Sequence, residues 1–285
     1  MKKILIQLDT DPHPSSFDRV VAVDAGAEEM FSYGGVTVEN VEPLVHGAMF
    51  TRAPADLLNT AIFIGGSNVQ LGEQVYERVK KTLFPPFSVS VMMDSNGSNT
   101  TAAATVLCAM KHLSLAETSA LVLAGTGPVG FRVAQLLVSQ GAKVKLASRS
   151  LDRSRQACEQ LSHLHADSLL TPCESATESG LKAACDGVQL IVAAGAAGIQ
   201  LISAEQLKAV TTLKLAIDLN AVSPAGIAGI AVGDKAKERN GVLCYGAIGV
   251  GGTKMKIHHA AIRRLFEAND RRFDTAAIFE LGRQV

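Results

Sequence analysis

The stretch that most limits what this chain can fold into is residues 119–130, Ser-Ala-Leu-Val-Leu-Ala-Gly-Thr-Gly-Pro-Val-Gly. An apolar run of strand character ends there in a G-x-G-x-x-G turn, and Phe131–Ser139 continues with helical patterning before another strand. Gly125 permits the sharp exit from the strand, Gly127 lets backbone approach a pyrophosphate, and Gly130 lets the helix pack closely on the sheet. Pro128 suits the first helical turn, where a missing N–H loses nothing. Thr126 and Val129 complete the loop, and a pyrophosphate on it meets backbone N–H groups at the positive end of the helix dipole. A glycine turn alone is a weak signal; a strand before it and a helix after it make it a dinucleotide site.

The next strand, residues 143–147, ends in Ser148-Arg149-Ser150. An NAD site usually places an acid here, about 20 residues past the first glycine, to hold the ribose 2′-hydroxyl. A hydroxyl and a guanidinium suit a 2′-phosphate instead, so NADP is the expected cofactor, with Arg153 and Arg155 near enough to assist. Further strand patterns lie at residues 189–193, 214–217 and 242–245, with helices centred near residues 180 and 207. Small or polar residues follow those strands, and Ala194, Gly195, Asn220 and Gly249 are read as leaving room for a nicotinamide ring. A helix is expected from Thr253 to Glu267 and another around 275–281, both returning to the first domain because the nucleotide sheet is already complete.

The first hundred residues alternate in the same way. A strand over 3–8 ends in Asp9-Thr10-Asp11, and Ser15 looks like the N-cap of a helix reaching Ala25, with Asp18 in the place of a capping-box acid. A helix over 38–45, a strand over 60–64 broken by Gly65-Gly66, and an amphipathic helix over 69–83 closed by Pro85-Pro86 follow. A strand over 87–93 then ends at Asp94, ahead of a helix over 98–112. Alternating strands and helices make an α/β fold with parallel sheets, here two α/β domains, the second of Rossmann type. The expected division is 1–113 plus 253–285 against 114–252, with the boundary in the polar Leu113–Thr118 connection. In open parallel sheets the carboxyl ends of strands face the ligand, so the three polar or glycine-rich ends of the first domain read as a substrate site.

Other classes fall away on composition. Equal numbers of basic and acidic residues, 27 each, give no field for nucleic acid or an anionic membrane, and favour a small-molecule partner. Asp9 and Asp11 end the first apolar run too early for a signal peptide, and no apolar stretch approaches the ~20 residues of a spanning helix, so the chain reads as cytoplasmic. The five cysteines form no C-x-x-C pair and read as reduced thiols, and the adjacent His258-His259 pair lacks metal-ligand spacing. The one Tyr-x-x-x-Lys spacing, Tyr76 to Lys80, lies in the amphipathic helix over 69–83 and outside the dinucleotide domain, and no G-x-S-x-G or H-E-x-x-H occurs. Without proton-transfer apparatus, hydride transfer from something other than an alcohol is the expected chemistry.

Residues 94–104 (Asp-Ser-Asn-Gly-Ser-Asn-Thr-Thr-Ala-Ala-Ala), 123–130 (Leu-Ala-Gly-Thr-Gly-Pro-Val-Gly) and 246–258 (Gly-Ala-Ile-Gly-Val-Gly-Gly-Thr-Lys-Met-Lys-Ile-His) resemble the NADP-dependent methylene-tetrahydromethanopterin dehydrogenases of methylotrophic bacteria. Gln-Leu-Asp-Thr-Asp at 7–11 and Ile-Phe-Ile-Gly-Gly at 62–66 carry the same likeness, which spans essentially the whole chain. The resemblance implies oxidation of methylene-tetrahydromethanopterin, and in some relatives methylene-tetrahydrofolate, to the methenyl cation with NADP as acceptor. It implies a homo-oligomer, with a trimer as the expected form. The product is an amidinium cation, so the redox step moves no proton and the protein must align two rings and stabilise positive charge. Asp18 and Asp94, with Lys256, form the candidate catalytic set; Asp9, Asp11, Asn96, Ser98, Thr100 and Lys254 are candidate substrate contacts. Asp18 and Asp94 have duller alternatives, as a capping acid and a turn former. Lys254 and Lys256, read as lying in a first helical turn, oppose the dipole there, which hints at ligand contact. Strictly NADP-dependent members carry Gly-Arg-Lys where this chain has Ser148-Arg149-Ser150, so one cation is missing, and a related branch also accepts NAD. Rival readings are another two-domain NADP reductase of the shikimate type, whose catalytic Lys-Asp pair has no well-placed counterpart here, and a non-catalytic NADPH-binding regulator.

Overall fold

The computed structural model describes residues 1–162 and 169–285. The chain divides into two compact units, residues 1–100 with 255–285, and residues 101–254. The division falls inside two helices rather than in the polar connection after Leu113.

The first unit begins β1 (Ile4–Asp9), α1 (Ser16–Asp24), β2 (Glu29–Tyr33), α2 (Val41–Met49), β3 (Thr60–Gly65), α3 (Val69–Thr82), β4 (Ser90–Met93) and α4 (Ser98–Met110). β1, β3 and β4 read as continuous apolar runs because both faces of a parallel sheet are covered, and Leu8, Ile62, Ile64, Val75, Val79 and Val91 join one core. β2 escaped the sequence reading: it is an edge strand, half exposed along its length, with no apolar run. The second unit continues β5 (Ser119–Leu123), α5 (Pro128–Ser139), β6 (Lys143–Ser148), α6 (Leu151–Ser162), β7 (Leu170–Glu174), α7 (Glu178–Cys185), β8 (Leu190–Ala193), α8 (Ala204–Lys208), β9 (Leu215–Asp218), β10 (Lys237–Arg239), β11 (Val242–Tyr245) and α9 (Ala247–Leu265). The two strands missed there are edges as well. β7 carries Pro172, tolerated where no further strand needs its N–H, and β10 is charged and runs antiparallel. After α9, β12 (Arg272–Phe273) pairs in parallel with β4, and α10 (Thr275–Gly282) ends the chain.

The first sheet has the order β2-β1-β3-β4-β12, all parallel, which is the doubly wound 2-1-3-4-5 pattern. The second runs β7-β6-β5-β8-β9-β11-β10, the Rossmann order 3-2-1-4-5-6 with an antiparallel edge strand added. Each order reverses once, at β1/β3 and at β5/β8, and ligands of such sheets bind outside the strand ends at that reversal. No helix among the described residues is long and apolar enough to cross a membrane.

Candidate functional site

At the β5/β8 reversal the glycine turn has the geometry a dinucleotide needs. Gly125 donates its N–H to Ala147 O at 2.8 Å, tying the turn to β6. A methyl on Gly130 would stand 2.8 Å from Ala124 O and 2.9 Å from Gly125 Cα, so only glycine lets α5 start this close to the turn. Gly127 is the helix N-cap with no side chain bonded to the first turn, and Pro128 opens the helix. The first-turn N–H groups of Val129 and Gly130 therefore have no capping side chain, as a helix start that takes an anion requires.

The end of β6 carries no acid. Thr126 Oγ1 donates to Ser148 Oγ at 3.5 Å, and that hydroxyl also receives the Ser150 N–H at 3.3 Å. Ser150 Oγ in turn receives the Arg153 N–H at 3.4 Å. Ser148 is thus a buried link and Ser150 a cap of α6; the exposed Arg149 and Arg153 offer the cationic groups. Arg155 pairs with Asp152 at 3.3 Å on the helix surface. The residues at hand fit a dinucleotide with a 2′-phosphate.

Toward the other end of this sheet, Asn220 fastens two loops: its Oδ1 receives the N–H of Gly198 at 3.3 Å and of Val222 at 2.9 Å, and its Nδ2 donates to Pro224 O at 2.9 Å. Asp218 beside it accepts the N–H groups of Asn220 and Ile227 at 3.0 Å each, and burial pushes its carboxyl above the usual range. These two residues line a cavity of about 260 Å³ that also includes Val222, Ile230 and Gly246. Ala194 and Gly195 follow β8, and the Ala194 carbonyl lies 3.9 Å from where a Gly127 methyl would stand. Gly249 is a correction: it sits inside α9, buried, and a methyl there would lie 1.8 Å from Asp234 O. It packs against the loop at Asp234 and leaves no open space on its side-chain side. Burial lifts the Cys158, Cys185 and Cys244 thiols to about 11, so these cysteines stay protonated at neutral pH.

In the first unit the three strand ends come together. Asp9 is fully buried, with Oδ1 receiving the Asp11 N–H at 2.9 Å and Oδ2 the Ser15 N–H at 3.0 Å. Asp11 crosses to β3, taking the Ser67 N–H at 2.9 Å and its hydroxyl at 2.8 Å. Gly66, at φ +104°, has Thr10 Oγ1 2.0 Å from where a side chain would begin, so the loop requires glycine there. Asn96, at φ +54°, donates its N–H to Gly66 O at 2.8 Å and links β4 to the same cluster. Gly65-Gly66 was legible as a strand end in this cluster; Ser67 was not, because its bond to Asp11 depends on strand order.

Asp94, Ser98 and Thr100 are buried and serve the start of α4. Asp94 Oδ1 receives the N–H groups of Asn99 at 2.9 Å and Thr100 at 3.0 Å, and Oδ2 the Thr100 hydroxyl at 2.6 Å. Ser98 Oγ donates to Ser95 O at 2.8 Å. These bonds hold the strand end; the expectation that Ser98 and Thr100 face a ligand gives way to capping. Asp18 differs in place: it is half buried in the first turn of α1, its N–H on Ser15 Oγ at 3.3 Å, and its Oδ2 lies 3.6 Å from a Cβ built on Gly65. It therefore stands at the β1/β3 reversal.

The lysine expectation also changes. α9 starts at Ala247, so Lys254 and Lys256 lie beyond its first turn and the dipole argument lapses. Two residues apart on a helix, they point about 160° apart and do not serve one ligand together. Lys256 is exposed one turn after Gly252, whose missing side chain has nothing within 4 Å.

Residues 16–96 match the family model of methylene-tetrahydromethanopterin dehydrogenase, N-terminal. Over 286 residues the chain is 42% identical to the bifunctional protein MdtA of Methylorubrum extorquens AM1, covering 100% of this chain and 99% of that protein. It is 33% identical over 279 residues to the NAD(P)-dependent methylenetetrahydromethanopterin dehydrogenase of the same organism, covering 94% and 93% of the two chains. Shikimate 5-dehydrogenase of Listeria monocytogenes, solved with shikimate and NAD, superposes with a TM-score of 0.57 at 12% identity over 98% of this chain and 96% of that one, a likeness of fold. On full-length identity and the matching N-terminal region, the chain belongs to the methylene-tetrahydromethanopterin dehydrogenase family.

Proposed function

We propose that this chain oxidises methylene-tetrahydromethanopterin to the methenyl form by hydride transfer to NADP, in one-carbon metabolism. The observation that carries the reading is full-length identity, 33%, with a dehydrogenase named for that substrate, on a chain whose own glycine turn is shaped for a dinucleotide. The second unit is assigned to NADP and the first to the pterin. Bound NADP supplies a nicotinamide C4 that accepts hydride. The first turn of α5 holds the pyrophosphate, and Arg149, with Arg153, holds the 2′-phosphate; the missing acid after β6 supports NADP over NAD, with NAD as a weaker second acceptor.

The substrate loses hydride and becomes a cation without giving up a proton, so the pterin site needs negative potential rather than a general base. Asp18 is the carboxylate we assign to that task, at the β1/β3 reversal over Gly65. Asp9, Asp11 and Asp94 position the loops around it through the backbone bonds described above. Lys256 is assigned to the substrate's polar groups. Methylene-tetrahydrofolate is a second substrate by shared ring chemistry, and a cytoplasmic homo-oligomer, trimeric by family resemblance, completes the proposal. The test is a spectrophotometric assay of each pterin with NADP and with NAD. Turnover fastest with methylene-tetrahydromethanopterin and NADP is expected; no turnover in any combination overturns the assignment.

A further inference from the structure

Four aliphatic side chains of the second unit, Ile199, Val222, Val232 and Ile248, leave between 40% (Val232) and 65% (Ile248) of their surface exposed. Contacts within this unit bring them to one place. Ala194 O lies 3.9 Å from a Cβ built on Gly127, so the loop that follows β8 starts at the glycine turn. That loop continues to Ile199, whose N–H bonds to Ala196 O at 3.2 Å, and a Cβ built on Gly198 would meet Val222 Cγ1 at 3.9 Å. Val222 and Val232 both line the cavity of about 260 Å³ at the end of β9, with Ala225 and Ile230. Val232 O takes the N–H of Ile248, in the first turn of α9, at 2.9 Å. Asp218 borders the same cavity, but its two oxygens each hold a backbone N–H, of Asn220 and of Ile227, so its charge is answered from within the loop.

A dinucleotide lies along the carboxyl ends of the strands, with its two halves on either side of the reversal. With the 2′-phosphate at the end of β6, the nicotinamide half falls on the side of β8 and β9, where these side chains stand. The oxidised nicotinamide is a cation; hydride arrives at C4 with its electron pair, the ring becomes neutral, and no proton moves. Apolar surroundings disfavour the charged form and leave the neutral one untouched. We infer that Val222 and Val232, flanked by Ile199 and Ile248, form the nicotinamide subsite and make it prefer the reduced, uncharged ring, which draws hydride toward the cofactor. This rests on the dehydrogenase reading above. The apolar side chains of one unit and Asp18 of the other then favour the same transfer from its two ends, one where positive charge disappears and one where it forms.

Val222 is exposed and gives its backbone N–H to Asn220 Oδ1 at 2.9 Å, a bond that any side chain at this position retains. Calorimetric titrations without pterin use NADPH, oxidised NADP and 2′-phospho-ADP-ribose, which is NADP without its nicotinamide. The wild type is expected to bind NADPH tightest, by roughly fivefold or more over oxidised NADP. Val222→Ala should weaken NADPH roughly threefold or more and leave 2′-phospho-ADP-ribose unchanged. Val222→Asp should reverse the order of NADPH and oxidised NADP, because a carboxylate favours the cationic ring. Equal losses for NADPH and 2′-phospho-ADP-ribose in Val222→Ala, or an NADPH preference that Val222→Asp leaves in place, overturns the inference. So does a Val222→Asp protein altered only in sedimentation, which would make the patch a contact between copies of the chain. If the wild type binds none of the three ligands, the NADP reading itself fails and this inference with it; if it binds all three alike, the ring subsite alone is wrong.

Discussion

Two glycines three residues apart should fail in opposite ways when given a methyl group. At Gly130 the added Cβ lies 2.8 Å from Ala124 O and 2.9 Å from Gly125 Cα, both backbone atoms that cannot rotate aside. The helix must lift from the turn, an overpacking strain of about 1–3 kcal/mol. At about 2–4 °C per kcal/mol, a fall in Tm of roughly 2–12 °C follows. At Gly127 the same methyl lies 3.4 Å from Ala124 O and 3.9 Å from Ala194 O, on a backbone at φ −77° that alanine adopts freely. Gly127→Ala should leave stability unchanged or raise it by about 0.4–1 kcal/mol through a stiffer unfolded chain. Its methyl does occupy surface that a pyrophosphate needs. Losing one charge-assisted hydrogen bond, about 1.5–3 kcal/mol, weakens NADPH binding at least roughly tenfold. Calorimetric titration with NADPH, beside thermal melts of both variants, reads the two effects separately. Wild-type affinity in a well-folded Gly127→Ala protein would refute a pyrophosphate on this turn, and an undiminished Tm in Gly130→Ala would refute the packing argument.

Arg149→Ala should weaken NADP by roughly tenfold or more and NAD little, because the guanidinium answers only the 2′-phosphate; equal losses in paired titrations would remove it from that role. Asp18→Asn should lower kcat with the NADP Kd unchanged, whereas Asp94→Asn should cost about 1–3 kcal/mol of stability by upsetting a buried cap, so melts and steady-state kinetics separate a charge at the site from a support beneath it. For pH, the Arg239 guanidinium, bonded to Asp234 at 2.6 and 2.8 Å, holds that carboxyl below its ordinary value. A carboxylate with a depressed pKa stabilises the fold above the unfolded-state value near about 4, and the gain is lost as pH falls through the folded value. Arg239→Ala should therefore melt below wild type at neutral pH and converge with it in acid; a gap that widens toward low pH contradicts the pairing.

What could be read without coordinates follows from where each residue sits. Strands buried on both faces, such as Ile62-Phe63-Ile64 and Leu121-Val122-Leu123, announce themselves as apolar runs because no position along them faces water. Edges do not: β2, β7 and β10 mix exposed and polar residues, so nothing in their composition separates them from loops. The Ser15 cap and the glycine turn were legible because their partners lie within a few residues. Asp11 bonded to Ser67 was not, since that contact depends on β1 and β3 being neighbours across more than fifty residues of chain. The start of α9 was misplaced for another reason. Gly249, Gly251 and Gly252 read as loop, yet all three lie in the helix, and at Gly249 the glycine is there because the Asp234 backbone leaves no room for a side chain.

The two sheets solve one geometric problem twice. A strand order that reverses once leaves one crevice, at the carboxyl ends of the two strands where the windings part. At β5/β8 the chain lines that place with Gly125, Gly127 and Gly130, and at β1/β3 with Gly65 and Gly66. The residues beside these glycines then differ in charge as the proposed ligands do. Arg149 and the positive end of α5 stand at the first crevice, and Asp18, with Asp9 behind it, at the second. An anionic cofactor suits one and a substrate that becomes a cation suits the other, and neither arrangement can be exchanged without meeting like charge. This is why a hydride transfer that moves no proton needs no histidine or tyrosine base. On the proposed assignment the electron pair leaves from beside Asp18, and the negative charge that answers the new cation is in place before the reaction begins.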